Sequence, residues 1–359
     1  MKEIALELSN VKKIFEKDGE KLTAVDSTSL KVEKGELVTF LGPSGCGKTT
    51  TLRMIAGFER PTSGSITFGG KDMTNVPVNK RGIGFVFQNY ALFPHMTIYN
   101  NVAYGLKARK ETDDVIRGKV RDALGLVGLS GAENKYPNEL SGGEQQRVAL
   151  ARVIVMDPAL LLMDEPLSNL DAKLRIHMRT EIRRIQKKLG ITCLYVTHDQ
   201  AEALTVSDRI MVMSKGVVEQ IGTPQEIYSS PASAFVADFI GQANTVECTV
   251  LESRGCDVVA QLPTGNKVCG RSKEDFKVGE KAILVARPEN ISVGPFEQGC
   301  IEAVVVSSVF VGSHMEYELR MGEKIVKTSV DFKPDMTLFS AGEKVGLSMD
   351  EKTLVFLRH

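Results

Sequence analysis

The stretch Gly42-Pro43-Ser44-Gly45-Cys46-Gly47-Lys48-Thr49 restricts this chain more than any other feature. It fits the pattern G-x-x-x-x-G-K-[ST], follows the apolar run Leu37 to Leu41, and precedes the helical run Thr50 to Ile55. Glycines let consecutive backbone N–H groups converge on phosphate oxygens, and a helix N-terminus adds partial positive charge. Lys48 can then reach the β and γ phosphates, and the Thr49 hydroxyl can be offered to Mg2+. The motif implies a strand, a loop and a helix around a nucleoside triphosphate. Alone it leaves kinase, GTPase and transport motor open.

The surrounding pattern places that loop in an α/β domain. Leu37 to Leu41, Leu160 to Met163, Cys193 to Val196 and Ile210 to Met213 are short, continuously apolar and separated by helical patterns. Strands covered on both faces read this way, so a parallel sheet is expected. Before it, up to about residue 30, Ile4, Leu6 and Leu8 alternate with polar residues, and Asp18-Gly19 is a turn signal. Residues 89–155 read as a mostly helical subdomain inserted into the sheet architecture. After about residue 240, Gly-Glu-Lys recurs at 279–281, 322–324 and 342–344, each time before a β-prone run. Repeated turn-strand units suggest a small all-β, barrel-type domain. The expected division is therefore 1–240 and 241–359, with the boundary near Gly241.

Further residues fit the chemistry of a triphosphate. Asp164 ends the run Leu160 to Met163, where its carboxylate can hold Mg2+, and Glu165 beside it is a candidate general base for an attacking water. Gln88 ends Ile83 to Phe87, where it can ligate Mg2+ or position water, and His198 follows Leu194 to Thr197, where it can touch the γ-phosphate or orient water. Ser141 and Glu144 form an S-x-x-E capping box around Gly142 and Gly143, and a helix start with two glycines is an open anion site. Each taken singly also has a plain structural reading, as a loop carboxylate, a loop glutamine, a structural histidine or an ordinary capped helix.

In order and spacing, the set formed by the phosphate loop, Gln88, Leu140-Ser141-Gly142-Gly143-Glu144, Asp164-Glu165, Ser168-Asn169-Leu170-Asp171 and His198 resembles the nucleotide-binding domain of ABC transporters. The resemblance covers about residues 4–240, and the LSGGE element is its most specific part. It implies a P-loop ATPase with an N-terminal antiparallel β subdomain and a helical subdomain. It also implies a head-to-tail homodimer, with Ser141, Gly142, Gly143, Glu144 and Asp171 contacting nucleotide held by the other copy's Gly42 to Thr50. Phe15 is then expected to stack on adenine with Val25 nearby, and ATP and Mg2+ are the implied cofactors. Glu144 stands where many relatives carry glutamine and Asn169 where many carry alanine, so tuned affinity or coupling is expected there.

The same resemblance makes Gln88 to Met96 the docking segment for two transmembrane permease subunits, with an extracytoplasmic solute-binding protein as an indirect partner. Val285-Ala286-Arg287-Pro288-Glu289 resembles the Arg-Pro-Glu element of the transport-associated OB-like domain of importer ATPases for sugars, polyamines, ferric iron, sulfate and phosphonates. Phe93 to Met96 and Ala56 to Phe58 lean toward the polyamine, iron and phosphonate branch. The rival reading is a soluble ABC ATPase acting on ribosomes or nucleic acid. Against nucleic acid stand the balance of 45 basic and 45 acidic side chains and the lack of interleaved aromatic and basic residues near the C-terminus. The start, Met1 to Leu8, has no leader pattern, and no stretch of about 18 apolar residues occurs. A peripheral protein on the cytoplasmic face of the inner membrane is expected. The six cysteines lack zinc spacing and suit free thiols in a reducing compartment.

Overall fold

A computed structural model describes residues 3–17, 19–297 and 300–358. Asp18 of the expected Asp18-Gly19 turn lies outside them. The chain divides into two compact units, Met1–Pro224 and Gln225–His359. The division falls upstream of the expected boundary near Gly241, because the segment after Pro224 is bound within the second unit by Arg287. That buried guanidinium donates to the carbonyls of Tyr228 (2.9 Å), Ala237 (2.7 Å) and Ile240.

In the first unit, β1 (Ile4–Lys17) and β2 (Glu20–Glu33) lead into β3 (Leu37–Leu41), the phosphate-type loop and α1 (Lys48–Ala56). β4 (Ser63–Phe68), the short β5 (Lys71–Asp72) and β6 (Ile83–Val86) follow. Three helices, α2 (Ile98–Ala108), α3 (Asp113–Leu126) and α4 (Gly142–Ile154), form the helical insertion. β7 (Leu160–Asp164), α5 (Ala172–Leu189), β8 (Thr192–Thr197), α6 (Gln200–Val206), β9 (Arg209–Ser214) and β10 (Val217–Gly222) complete the unit.

The strands form two sheets. β2-β1-β4-β5 is antiparallel, and β10-β9-β3-β8-β7-β6 is parallel except for the β9–β10 pair. The apolar runs owe their continuity to burial on both faces. Cys193 and Tyr195 of β8 enter the core shared with the helical insertion, while Leu194 and Val196 enter the core beneath β1 and β2. β3 and β7 split in the same alternating way, as a pleated strand between two layers must.

The second unit begins with the short helices α7 (Pro224–Ser229) and α8 (Ala234–Phe239). It then carries β11 (Asn244–Arg254), β12 (Asp257–Gln261), β13 (Lys267–Arg271), β14 (Lys281–Ala286) and β15 (Ile291–Pro295). The remaining strands are β16 (Ile301–Phe310), β17 (His314–Met321), β18 (Lys324–Asp331), β19 (Lys344–Met349) and β20 (Val355–Leu357). β11-β12-β13-β20-β14 close into a barrel, and β15-β19-β16-β17-β18 form a sheet sharing its core. The three Gly-Glu-Lys triplets lead into β14, β18 and β19 as the repeat implied.

Candidate nucleotide site

The loop after β3 is wedged between other backbones. Gly47 has φ 103°, and a Cβ there would come within 2.5 Å of the Ala24 carbonyl oxygen; one on Gly42 would lie 2.2 Å from the Met213 carbonyl oxygen. Only glycine fits both positions. Inside α1 the Thr51 amide donates to the Gly47 carbonyl at 2.9 Å, and no side chain caps the helix. The amides of Lys48, Thr49 and Thr50 therefore precede the first helical bond and face outward from a positive helix end. Pro43, Ser44 and Gly45 are exposed, whereas Cys46 is buried with its Sγ 3.8 Å from the Lys48 ammonium. Lys48, also buried, curls over the loop and donates to the Gly42 (2.7 Å) and Pro43 (2.9 Å) carbonyls.

Four neighbouring parallel strands deliver the other polar groups to the same carboxyl edge, where open α/β sheets bind ligands. In spatial order, β3 ends at the loop, β8 at His198, β7 at Asp164 and Glu165, and β6 just before Gln88. The Thr49 hydroxyl donates to Asp164 Oδ1 at 3.1 Å. Burial pushes the Asp164 carboxyl above its ordinary value, the Thr49 bond opposes this, and the neighbouring Glu165 adds to the rise. Glu165 adopts φ 44°, a left-handed backbone that turns the chain sharply as it leaves β7. Its amide donates to the Val196 carbonyl (3.0 Å), and its Oε2 lies 3.2 Å from His198 Nδ1.

The donor set fits Mg2+. A hydroxyl and a carboxylate meet at hydrogen-bonding distance, and partial burial leaves the half-buried carboxylate with a raised pKa. Mg2+ usually takes one or two protein oxygens and completes its shell with phosphate and water. Among the described residues no cluster of three or more His, Cys, Asp or Glu could hold a metal by itself, so such an ion would depend on bound nucleotide.

Ser141 caps α4 as its sequence implied. Its hydroxyl accepts from the Glu144 amide (3.4 Å), and the Glu144 carboxylate accepts from the Ser141 amide (2.9 Å) and hydroxyl (2.7 Å). The bonds from the Ser141 hydroxyl and then its amide hold that carboxyl below its ordinary value. A Cβ on Gly143 would lie 2.8 Å from the Leu174 side chain, and one on Gly142 would lie 3.2 Å from Leu170. The α4 start therefore abuts the turn Ser168 to Asp171 and the first turn of α5. Asp171 caps α5 by accepting from the Leu174 amide at 2.9 Å.

Phe15 is half-exposed on β1, opposite exposed Leu22, with the Lys13 ammonium 4.7 Å from its ring centre. Val25 is fully buried, and one of its methyls would lie 3.2 Å from a Cβ on Gly47. It packs beneath the phosphate loop, which puts it beside the site.

Several contacts around the site had no signal in the motif pattern. Arg152, in the last turn of α4, donates to the carbonyls of Tyr90 (2.8 Å) and Ala91 (2.7 Å), both at positive φ. Buried Asn101 of α2 exchanges hydrogen bonds with the Phe93 amide and carbonyl and donates to the Met96 carbonyl, shaping Phe93 to Met96. Asn169 Nδ2 donates to the Gln88 carbonyl at 2.9 Å. Arg175 and Arg179 of α5 both reach the Asp199 carboxylate, beside His198.

The family model described as ABC transporter matches residues 25–168, and the TOBE domain model matches residues 284–357. The Fe(3+) ions import ATP-binding protein FbpC of Rhizobium etli is 51% identical over 298 residues, 83% of each chain. The chain belongs to the ABC transporter ATP-binding family. The spermidine/putrescine import ATP-binding protein PotA of Clostridioides difficile is 47% identical over 323 residues, 89% of each chain. Among solved structures, CbiO1 of Clostridium perfringens, part of the ABC transporter complex CbiONQ, superposes with a TM-score of 0.59 at 31% identity, over 63% of this chain and 91% of that one. The dimeric post-hydrolysis cassette MJ0796 bound to ADP and Pi gives 0.55 at 31% identity, over 61% and 98%. This ABC subunit is an importer-type ATP hydrolase that powers solute import. Relatives of this kind favour membrane transport over the ribosome or nucleic-acid reading.

Proposed function

We propose that two copies of this subunit close head to tail around two Mg-ATP molecules. Each nucleotide would be held by Gly42 to Thr50 of one copy and met by Ser141, Gly142, Gly143, Glu144 and Asp171 of the other. The observation that carries this reading is the contiguity of the α4 start with the Ser168 to Asp171 turn. Gly142 and Gly143 lie against Leu170 and Leu174, so the helix-terminal amides and Asp171 belong to one surface of the chain. Phe15, half-exposed on β1, would stack on adenine.

Within each site, Lys48 would exchange its carbonyl acceptors for phosphate oxygens, a stronger charge-assisted pairing. Thr49, Asp164 and Gln88 would hold Mg2+. When bound, Mg2+ neutralises phosphate charge and helps align the γ-phosphoryl group. Glu165 would accept a proton from the attacking water while His198, at 3.2 Å, orients its carboxylate. Gln88 to Met96, shaped by Asn101 and tied to α4 by Arg152, would receive the two permease subunits. The subunit would then work peripherally on the cytoplasmic face of the membrane, linked to the solute-binding protein only through the permeases. The relatives named for ferric ions and for spermidine and putrescine favour a cationic solute, ferric iron first.

Glu165→Gln tests the reading. The variant is expected to bind ATP, to form a dimer by light scattering under Mg-ATP, and to lose turnover by about a hundredfold or more. Wild-type turnover, or a strictly monomeric variant at saturating Mg-ATP, would refute it.

A further inference from the structure

The turn Ser168 to Asp171 is attached to the loops that carry Gln88, Glu165 and His198. The Ser168 hydroxyl donates to the Glu165 carbonyl at 3.0 Å. The Asn169 amide donates to the Gln88 carbonyl at 2.9 Å, across 81 residues of sequence. Arg175, one turn into α5, forks: Nη2 donates to the Leu170 carbonyl (3.0 Å) and Nη1 to Asp199 Oδ2 (3.4 Å). Arg179 reinforces the second contact at 2.9 Å. Asp199 is built into the loop that bears His198, because its Oδ1 caps α6 at the Glu202 amide (3.0 Å) and its own amide donates to the Thr197 hydroxyl (3.0 Å).

We propose that Asn169 and Arg175 are positioning residues that latch the Gln88 and His198 loops to the Ser168 to Asp171 turn, so that all three loops move as one unit. The inference rests on the dimeric ATPase reading above. Gln88, His198 and Asn169 are exposed, so core packing of these side chains does not fix their loops relative to Glu165. Each attachment is a side chain bound to a backbone carbonyl or a capping carboxylate. It therefore fixes where a loop stands without occupying the reactive side chains, which stay free for nucleotide. The same turn bears Asp171, on the surface proposed to face the second copy. A displacement of that turn on closure passes through Asn169 to Gln88 and through Arg175 to His198. Assembly of the hydrolytic groups thus becomes conditional on dimer contact.

The test uses the full chain with ATP and Mg2+, measuring kcat, KM, nucleotide affinity by direct binding, and melting temperature. Asn169→Asp keeps the side-chain size and removes the amide donor. Its kcat is expected to fall about five- to tenfold, the worth of one hydrogen bond, with nucleotide affinity within about twofold of wild type. Asn169→Ala should match it, and Arg175→Met, which keeps most of the chain length and removes both donors, should show the same split between kcat and KM. Unchanged kcat in both Asn169 variants would overturn the latch, and so would parallel losses of kcat, affinity and melting temperature. Glu165→Gln, measured alongside, separates the failures. If it is inactive while Asn169→Asp is fully active, only the latch falls; if it hydrolyses ATP at the wild-type rate, the reading beneath falls and takes the latch with it.

Discussion

Thr49 and Asp164 show how far single side chains set the chemistry. The carboxyl of Asp164 is raised by burial and pulled back by the Thr49 hydroxyl. Thr49→Val keeps the shape and removes that donor, together with one of the oxygens proposed for Mg2+. Mg2+-dependent hydrolysis is then expected to fall by about a hundredfold. Hydrolysis at the wild-type rate would show that the hydroxyl has no part in the site. Glycines at 42 and 47 were legible for a related reason, since a loop pressed against the Ala24 and Met213 carbonyls has no room for a Cβ.

At the scale of elements, β3 must hold the phosphate loop in place, and its far end is anchored by Asp208. That carboxylate accepts from the Leu37 amide (2.9 Å), Arg183 (3.0 Å) and Lys187 (3.0 Å). Burial alone would raise its pKa, but the bonds from Arg183, Leu37 and Lys187 outweigh burial and hold it far below the ordinary value. A carboxyl depressed in the fold stabilises it fully above the unfolded value, about 3.9, and that stability is lost as pH falls below it. Asp208→Asn is expected to cost about 2 kcal/mol at neutral pH and to flatten the acid dependence of chemical denaturation. An unchanged denaturation midpoint at pH 7 would contradict the anchor. The second unit offers a parallel case in the Arg-Pro-Glu element. Arg287 stacks 4.2 Å from the Tyr228 ring centre and binds carbonyls at the end of α8, while Glu289 accepts from the Tyr228 hydroxyl. Burial and then Glu289 push that phenol up to about 12, so the element acts here as a structural clamp.

For the whole molecule, no helix among the described residues is long and apolar enough to cross a membrane. In the proposed assembly the solute would meet the permease and the solute-binding protein, so its identity belongs to that assembly. Cells that depend on this subunit are expected to take up labelled Fe3+ and to lose that uptake with Glu165→Gln; uptake of labelled spermidine alone would move the solute to the polyamine class. The sequence by itself determined the α/β domain, the all-β C-terminal region, the phosphate loop and the capped α4 start. Each of these depends on local rules: apolar periodicity, glycine where a backbone approaches closely, and a hydroxyl three residues before a carboxylate. Only the tertiary structure decided that residues 225–240 join the second unit, that Val25 is core, and that Asn169, Arg152 and Arg175 bind distant loops. The physical reason is range. A polar side chain seeking a backbone carbonyl 61 or 81 residues away leaves no period or spacing in sequence, because its partner is chosen by the packed fold.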